Sequence, residues 1–165
     1  MTPWATRALE ERSLLNPSFC SLLIWHAAAG LGSADQRRLS FEESFLILPL
    51  TLHRQTRDSL PRDTRTSLAN WLETNPLARG VVASRAEFLV PFTKEALTFG
   101  GIHRLFHFEQ GGIVADTSWE PALKGSLKSS TDEVKHCAKR ASFVGKWFAC
   151  GGSSTTVLAL MGVRP

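Results

Sequence analysis

The feature that most narrows the fold is a stripe near the C-terminal end of the chain. Val134, Cys137, Ala138, Ala141, Val144, Gly145 and Phe148 recur at steps of three and four, the period that sets side chains along one face of an α-helix. Most of these residues are small, so the stripe predicts a second helix packed against it at short interaxial distance. "TDE" at 131–133 supplies an N-cap and first-turn acids for it. A chain built on such a seam is mainly helical.

Further helices announce themselves by their caps. Asn16 and Pro17 read as an N-cap and a first helical position. Phe19, Leu22, Leu23 and His26 follow at helical spacing until Gly30 and Gly32, which are expected to stop the helix. His26 falls on the apolar face, where a core histidine bonded to backbone is a plainer reading than a ligand. "DQRRLS" reads as a polar loop. "SFEE" is a capping box from Ser40 to Glu43. Behind it Phe41, Phe45, Leu48 and Leu52 mark one face and Leu46, Ile47 and Leu50 fill the flanks, so this helix belongs at the centre. Pro49 would kink it or end its first half. A third helix lies in "RTSLANWLETNP". A fourth begins at another capping box, Ser84 to Glu87, and runs past Pro91 to Gly100-Gly101.

The period then changes. "IHRLFHFEQGGIVADT" holds two β-forming segments around "EQGG", a hairpin signal. Residues 119–130 carry Pro, Gly and Ser and read as loop, and "SSTTVLALMG" reads as a capped final helix. The fold class is therefore mainly α with one β-hairpin, in a winged-helix-like order of helix and then wing. The helix that would enter a DNA groove, "RAEFLVPFTKEALTFGG", offers only Arg85 and Lys94 as positive groups, which is poor equipment for reading bases. Residues 1–15 read as an N-terminal arm and 16–165 as a single domain.

Composition removes several classes of function. The chain has 165 residues, 43% hydrophobic and 21% charged, enough for one domain that buries about two-thirds of its unfolded surface. No apolar run is long enough to span a bilayer and no signal-peptide pattern precedes the fold, so a cytoplasmic location is expected. Three cysteines without a CxxC pair and five scattered histidines suggest neither a disulfide framework nor a metal site. No GxSxG, Walker, GxGxxG or HExxH element is present. The expectation is a non-enzyme with no catalytic residues and no cofactor. A net charge of +4 is compatible with phosphate or an acidic partner and singles out neither. Five tryptophans and ten phenylalanines without a tyrosine point to a large aromatic core or a buried partner surface.

One polar stretch stands out. "LPLTLHRQTRDSLPRDTRTSLANWL" places His53, Arg54, Arg57, Arg62 and Arg65 within a short span and leads through Thr66 and Ser67 into a helix. Arginines and hydroxyls ahead of a helix N-terminus are groups that a phosphate or carboxylate would use. The competing reading is a solvated connection in which Asp58 and Asp63 form local pairs of little worth.

The order of segments resembles a known family. "NPSFCSLLIWHAAAG", the arginine-rich stretch, "FTKEALTFGGIHRLFHF" with "GGIVAD", and "EVKHCAKRASFVGKWFACGGSSTTVLALMGVRP" together are similar to the middle component of bacterial three-component ABC systems. The likeness runs from Asn16 to Pro165, apart from residues 117–130. It implies a non-enzymatic adaptor working with a Rad50/SMC-like ABC ATPase and a third, effector-bearing component in defence against phage and other invading DNA. It turns the 53–67 stretch into the best candidate surface for a partner or phosphate, and Val163, Arg164 and Pro165 into a candidate docking tail. Self-association, and contact with DNA through the complex, stay open. The rival from another class is a winged-helix DNA-binding regulator.

Overall fold

The computed structural model describes residues 8, 12–13 and 15–163. Among them the elements run α1 (Pro17–Ala34), β1 (Leu39–Ser40), α2 (Phe41–Leu52), α3 (Arg54–Ser59), α4 (Leu68–Thr74), α5 (Ala78–Ile102), β2 (Phe106–Glu109), β3 (Gly112–Ala115), a 3-10 turn (Thr117–Trp119), α6 (Glu120–Lys128), α7 (Asp132–Cys150) and α8 (Ser154–Met161). The protein is mainly α with an antiparallel hairpin, as the sequence indicates. The N-terminal arm falls almost wholly outside the described residues.

The small-residue stripe does what its chemistry requires. A β-carbon on Gly145 would overlap the carbonyl oxygen of Ala27, and one on Gly30 would overlap that of Ser142. α1 and α7 therefore run in opposite directions with their backbones nearly touching, and Ala27, Ala138 and Ala141 are buried along the seam. Gly30 was expected to end α1. Instead α1 continues to Ala34 and Asp35 closes it, because Gly30 is used for close approach. Against this pair lies α2, whose Leu46, Ile47, Leu48 and Leu50 are fully buried. Its capping box forms as expected, with Ser40 accepting from the Glu43 N–H and Glu43 from the Ser40 N–H. The helix passes Pro49 and ends at Leu52.

The hairpin turns at Gln110 and Gly111, both at positive φ (50° and 75°), the requirement of a two-residue type I′ turn. β1 adds a third strand through Leu39 opposite Ile113, giving the order β1-β3-β2. "DQRRLS" is thus only partly loop: Leu39 is buried completely and pairs with the sheet.

Two other expectations change. Residues 120–128, read as loop, form α6, because Pro121 occupies the helix start where no N–H is needed. A Glu120–Lys124 pair at 2.6 Å lies along its side, and Leu123 and Leu127 pack on the core. α5 starts at Ala78, so Ser84 lies inside the helix and caps nothing. α5 shows Phe88 and Ile102 to solvent at 68% and 72% exposure, an apolar face where a groove-reading helix carries polar and basic groups. No helix among the described residues is long and apolar enough to cross a membrane.

Candidate functional site

The polar stretch begins where α2 stops. The last carbonyls of a helix have no intrahelical donor, and Arg57 on α3 turns back to supply one. Its guanidinium donates to the Thr51 carbonyl at 3.0 Å, lies 2.9 Å from the Cys137 Sγ, and meets Glu133 of α7 at 2.5 Å. The side chain is 1% exposed. A cation over a helix C-terminus also meets the negative end of the macrodipole. Arg57 was expected to grip a partner; it is a buried brace between α2, α3 and α7. Burial pushes the Cys137 thiol pKa up, and the Arg57 charge partly offsets that rise. Beside them the His53 Nδ1 sits 2.6 Å from the Thr56 hydroxyl. Burial, followed by the charges of Arg85 and Arg57, lowers the imidazole pKa.

The rest of the connection is held from beneath by three side-chain straps. Trp71 Nε1 donates to the Ser59 carbonyl at 2.8 Å, Arg140 to Pro61 at 2.8 Å, and Trp147 Nε1 to Thr66 at 2.7 Å. Trp71 and Trp147 meet edge to face at 5.4 Å, Phe143 stacks on Trp147, and the Arg140 guanidinium lies 4.4 Å over Phe143. These bonds answer backbone carbonyls that a buried loop would otherwise leave unpaired. Ser67 caps α4 by accepting from the Asn70 N–H at 3.2 Å.

The outward face is different. Arg54 and Arg65 have side chains 83% and 90% exposed and, among the described residues, pair locally, with Asp58 at 3.6 Å and Asp63 at 2.6 Å. The Arg65 hydrogen bonds hold the Asp63 carboxyl pKa below its ordinary value. Arg62 and Ser67 are exposed as well, and Thr66 is half-buried. The structure therefore brings Arg62, Arg65 and Ser67 onto one strapped loop, sets Arg54 apart on α3, and takes Arg57 inside. A loop fixed in this way presents guanidinium donors with little ordering cost on binding.

The family model for ABC-three component (ABC-3C) system Middle Component 3 matches residues 4–165. The chain belongs to that family. It is a middle component of an ABC three-component system. No curated protein and no solved structure matches it.

In this middle component the tail begins with an ordered stop. Gly162, at φ 71°, ends α8, and the Val163 N–H donates to Leu158 at 3.1 Å, a Schellman arrangement. Arg79 adds a donor to the Ala159 carbonyl at 3.0 Å. Of the docking tail, Val163 is half-buried against the core, while Arg164 and Pro165 lie outside the described residues. One cluster escaped the sequence reading. Arg37 grips the fully buried Glu43 with both arms, at 2.8 and 2.9 Å, and donates to the Phe148 carbonyl at 2.7 Å. The capping box that places Glu43 was the available signal. His26 packs edge-on to Trp25, with ring centroids 5.0 Å apart, and burial pushes its pKa down to about 4. Its Nε2 has no hydrogen-bond partner among the described residues.

Proposed function

We propose that this middle component is a non-enzymatic adaptor that couples a Rad50/SMC-like ABC ATPase to a third, effector-bearing component in defence against invading DNA. It works in the cytoplasm without a cofactor of its own. The observation that carries the reading is the family match over nearly the whole chain. The strapped 53–67 connection is its contact surface: Arg54, Arg62, Arg65 and Ser67 face an acidic patch or a phosphate backbone, and Arg57 braces them from within. Val163, Arg164 and Pro165 add a second contact.

Co-purification from cells expressing the whole system tests this. Tagged chain should bring the ATPase with it stoichiometrically, and replacing Arg62 and Arg65 together with alanine should weaken that association about tenfold without changing the fold. A chain that emerges alone and loaded with nucleic acid would instead support the winged-helix regulator, whose binding falls steeply as salt rises.

A further inference from the structure

A cavity of about 640 Å³ lies beside α6, walled by α1, β3, the 3-10 turn, α6 and α7. α1 faces it with Ala28, Ala29, Gly30 and Gly32, whose small side chains leave the space open. A β-carbon added to Gly32 would have nothing within 4 Å. The α6 wall is thinly held. None of its residues is buried, and it packs on the core through the half-buried Leu123 and Leu127. A space of this volume is that of an ordinary small-molecule site.

The walls specify the chemistry. Trp25 is fixed by its Nε1, which donates to the Asp116 carbonyl at 3.0 Å, and His26 lies edge-on to it. Both rings line the cavity with Val114 and Leu123, a setting for a flat apolar body. The His26 ring is uncharged at neutral pH, since burial brings its pKa down to about 4. Its Nε2, out of contact with water, lacks a hydrogen-bond partner among the described residues. A buried polar atom left unpaired is rare in folded proteins and calls for a partner. The charged groups around the cavity are Glu120, Lys124 and Lys146. Glu120 is matched by Lys124 at 2.6 Å, so the charge left over is the ammonium of Lys146. Ser142, one turn before it on α7, lines the same wall.

We propose that this cavity binds a small anionic molecule with a flat apolar body. The body lies along Trp25 and Leu123, and the anionic group, a phosphate or a carboxylate, meets Lys146 and Ser142. A turn of His26 about its soft outer torsion pairs Nε2 with a polar atom of the body. Filling the cavity gives α6 the packing it lacks, so the ligand fixes α6 against α1 and α7. This site is separate from the 53–67 connection and does not rest on the adaptor reading.

Hydrogen exchange on the full chain tests this. Adenosine monophosphate and indole-3-acetate probe the two anionic groups, and adenosine and tryptamine are their controls without the negative charge. At about 1 mM, at least one anion should slow exchange in α6 about tenfold, and its control no more than about twofold. Which anion acts tells phosphate from carboxylate. Lys146→Ala should weaken binding of that anion about tenfold. Ala29→Phe and Gly32→Phe each add a ring to the cavity wall, and at least one of them should abolish the protection. Thermal melting checks that the variants are folded. The proposal is overturned if neither anion protects α6, if the controls protect it equally, or if both phenylalanine variants keep the protection.

Discussion

Arg57 and Arg65 come from one polar stretch and end in opposite surroundings. Arg57 has 1% of its side chain exposed and spans three helices, whereas Arg65 has 90% exposed and holds Asp63, two residues away. Their neighbours in sequence are alike: hydroxyls, an aspartate, another arginine. What separates them is the end of α2. Arg57 follows it at a distance that lets the guanidinium reach the unpaired Thr51 carbonyl and then α7, while Arg65 lies on a loop whose carbonyls are already taken by Trp71, Arg140 and Trp147. A run of arginines is thus not one surface. It is divided by which helix ends need a cation.

If burial and not membership of the stretch decides an arginine's worth, Arg37 must behave as Arg57 does. Its partner Glu43 is fully buried, so Arg37→Ala strands a carboxylate away from water and is expected to cost about 4 kcal/mol of stability, the largest of these effects. Urea denaturation measures it, and a loss under 1 kcal/mol would break the comparison at its strongest point. Arg57→Ala comes next, at about 3 kcal/mol, which lowers the melting temperature by roughly 9 °C for a domain of this size. Glu133, with a side chain 59% exposed, stays hydrated when its partner is lost. In the reverse case Glu133→Gln leaves the buried Arg57 guanidinium an amide oxygen in place of a carboxylate, with Asp58 4.0 Å away as the next carboxylate, so it should cost about 2 kcal/mol. A cost equal to that of Arg57→Ala would mean that the ion pair, and not the bond to Thr51, holds the junction.

The same division governs what the sequence reveals. Features set by local chemistry are legible in it: the Asn16, Ser40, Thr131 and Ser153 caps form, and the hairpin turns where "EQGG" predicts. The small-residue stripe announces a close neighbour, although nothing in it names α1. α3 is not legible, because its inward face is Thr56 and Arg57, which give no apolar period. α6 is hidden by a proline and a glycine that the helix tolerates. The buried state of Arg57 depends on Glu133, 76 positions away, and local pattern carries no trace of that pairing. Where the candidate site is concerned, the stretch itself could be read from the chain. Which of its arginines remain outside could not.

The smallest expected effect is the one that bears most directly on function. Arg65→Ala should leave the melting temperature unchanged, since the Arg65–Asp63 pair is formed in water. Its signature lies in titration. The Arg65 hydrogen bonds hold the Asp63 carboxyl below its ordinary value, so any stabilisation from the pair is present above the ordinary value and fades as pH falls through the lowered one. In Arg65→Ala the Asp63 midpoint, followed by NMR, should rise toward the ordinary value, with the Arg57 junction and the strapped backbone unchanged. If partner binding weakens in that variant while the melting temperature holds, the outer arginine acts through its exposed guanidinium. Equal binding with an equal melting temperature would leave the pair as a loop ornament and move the contact to Arg54 and Arg62.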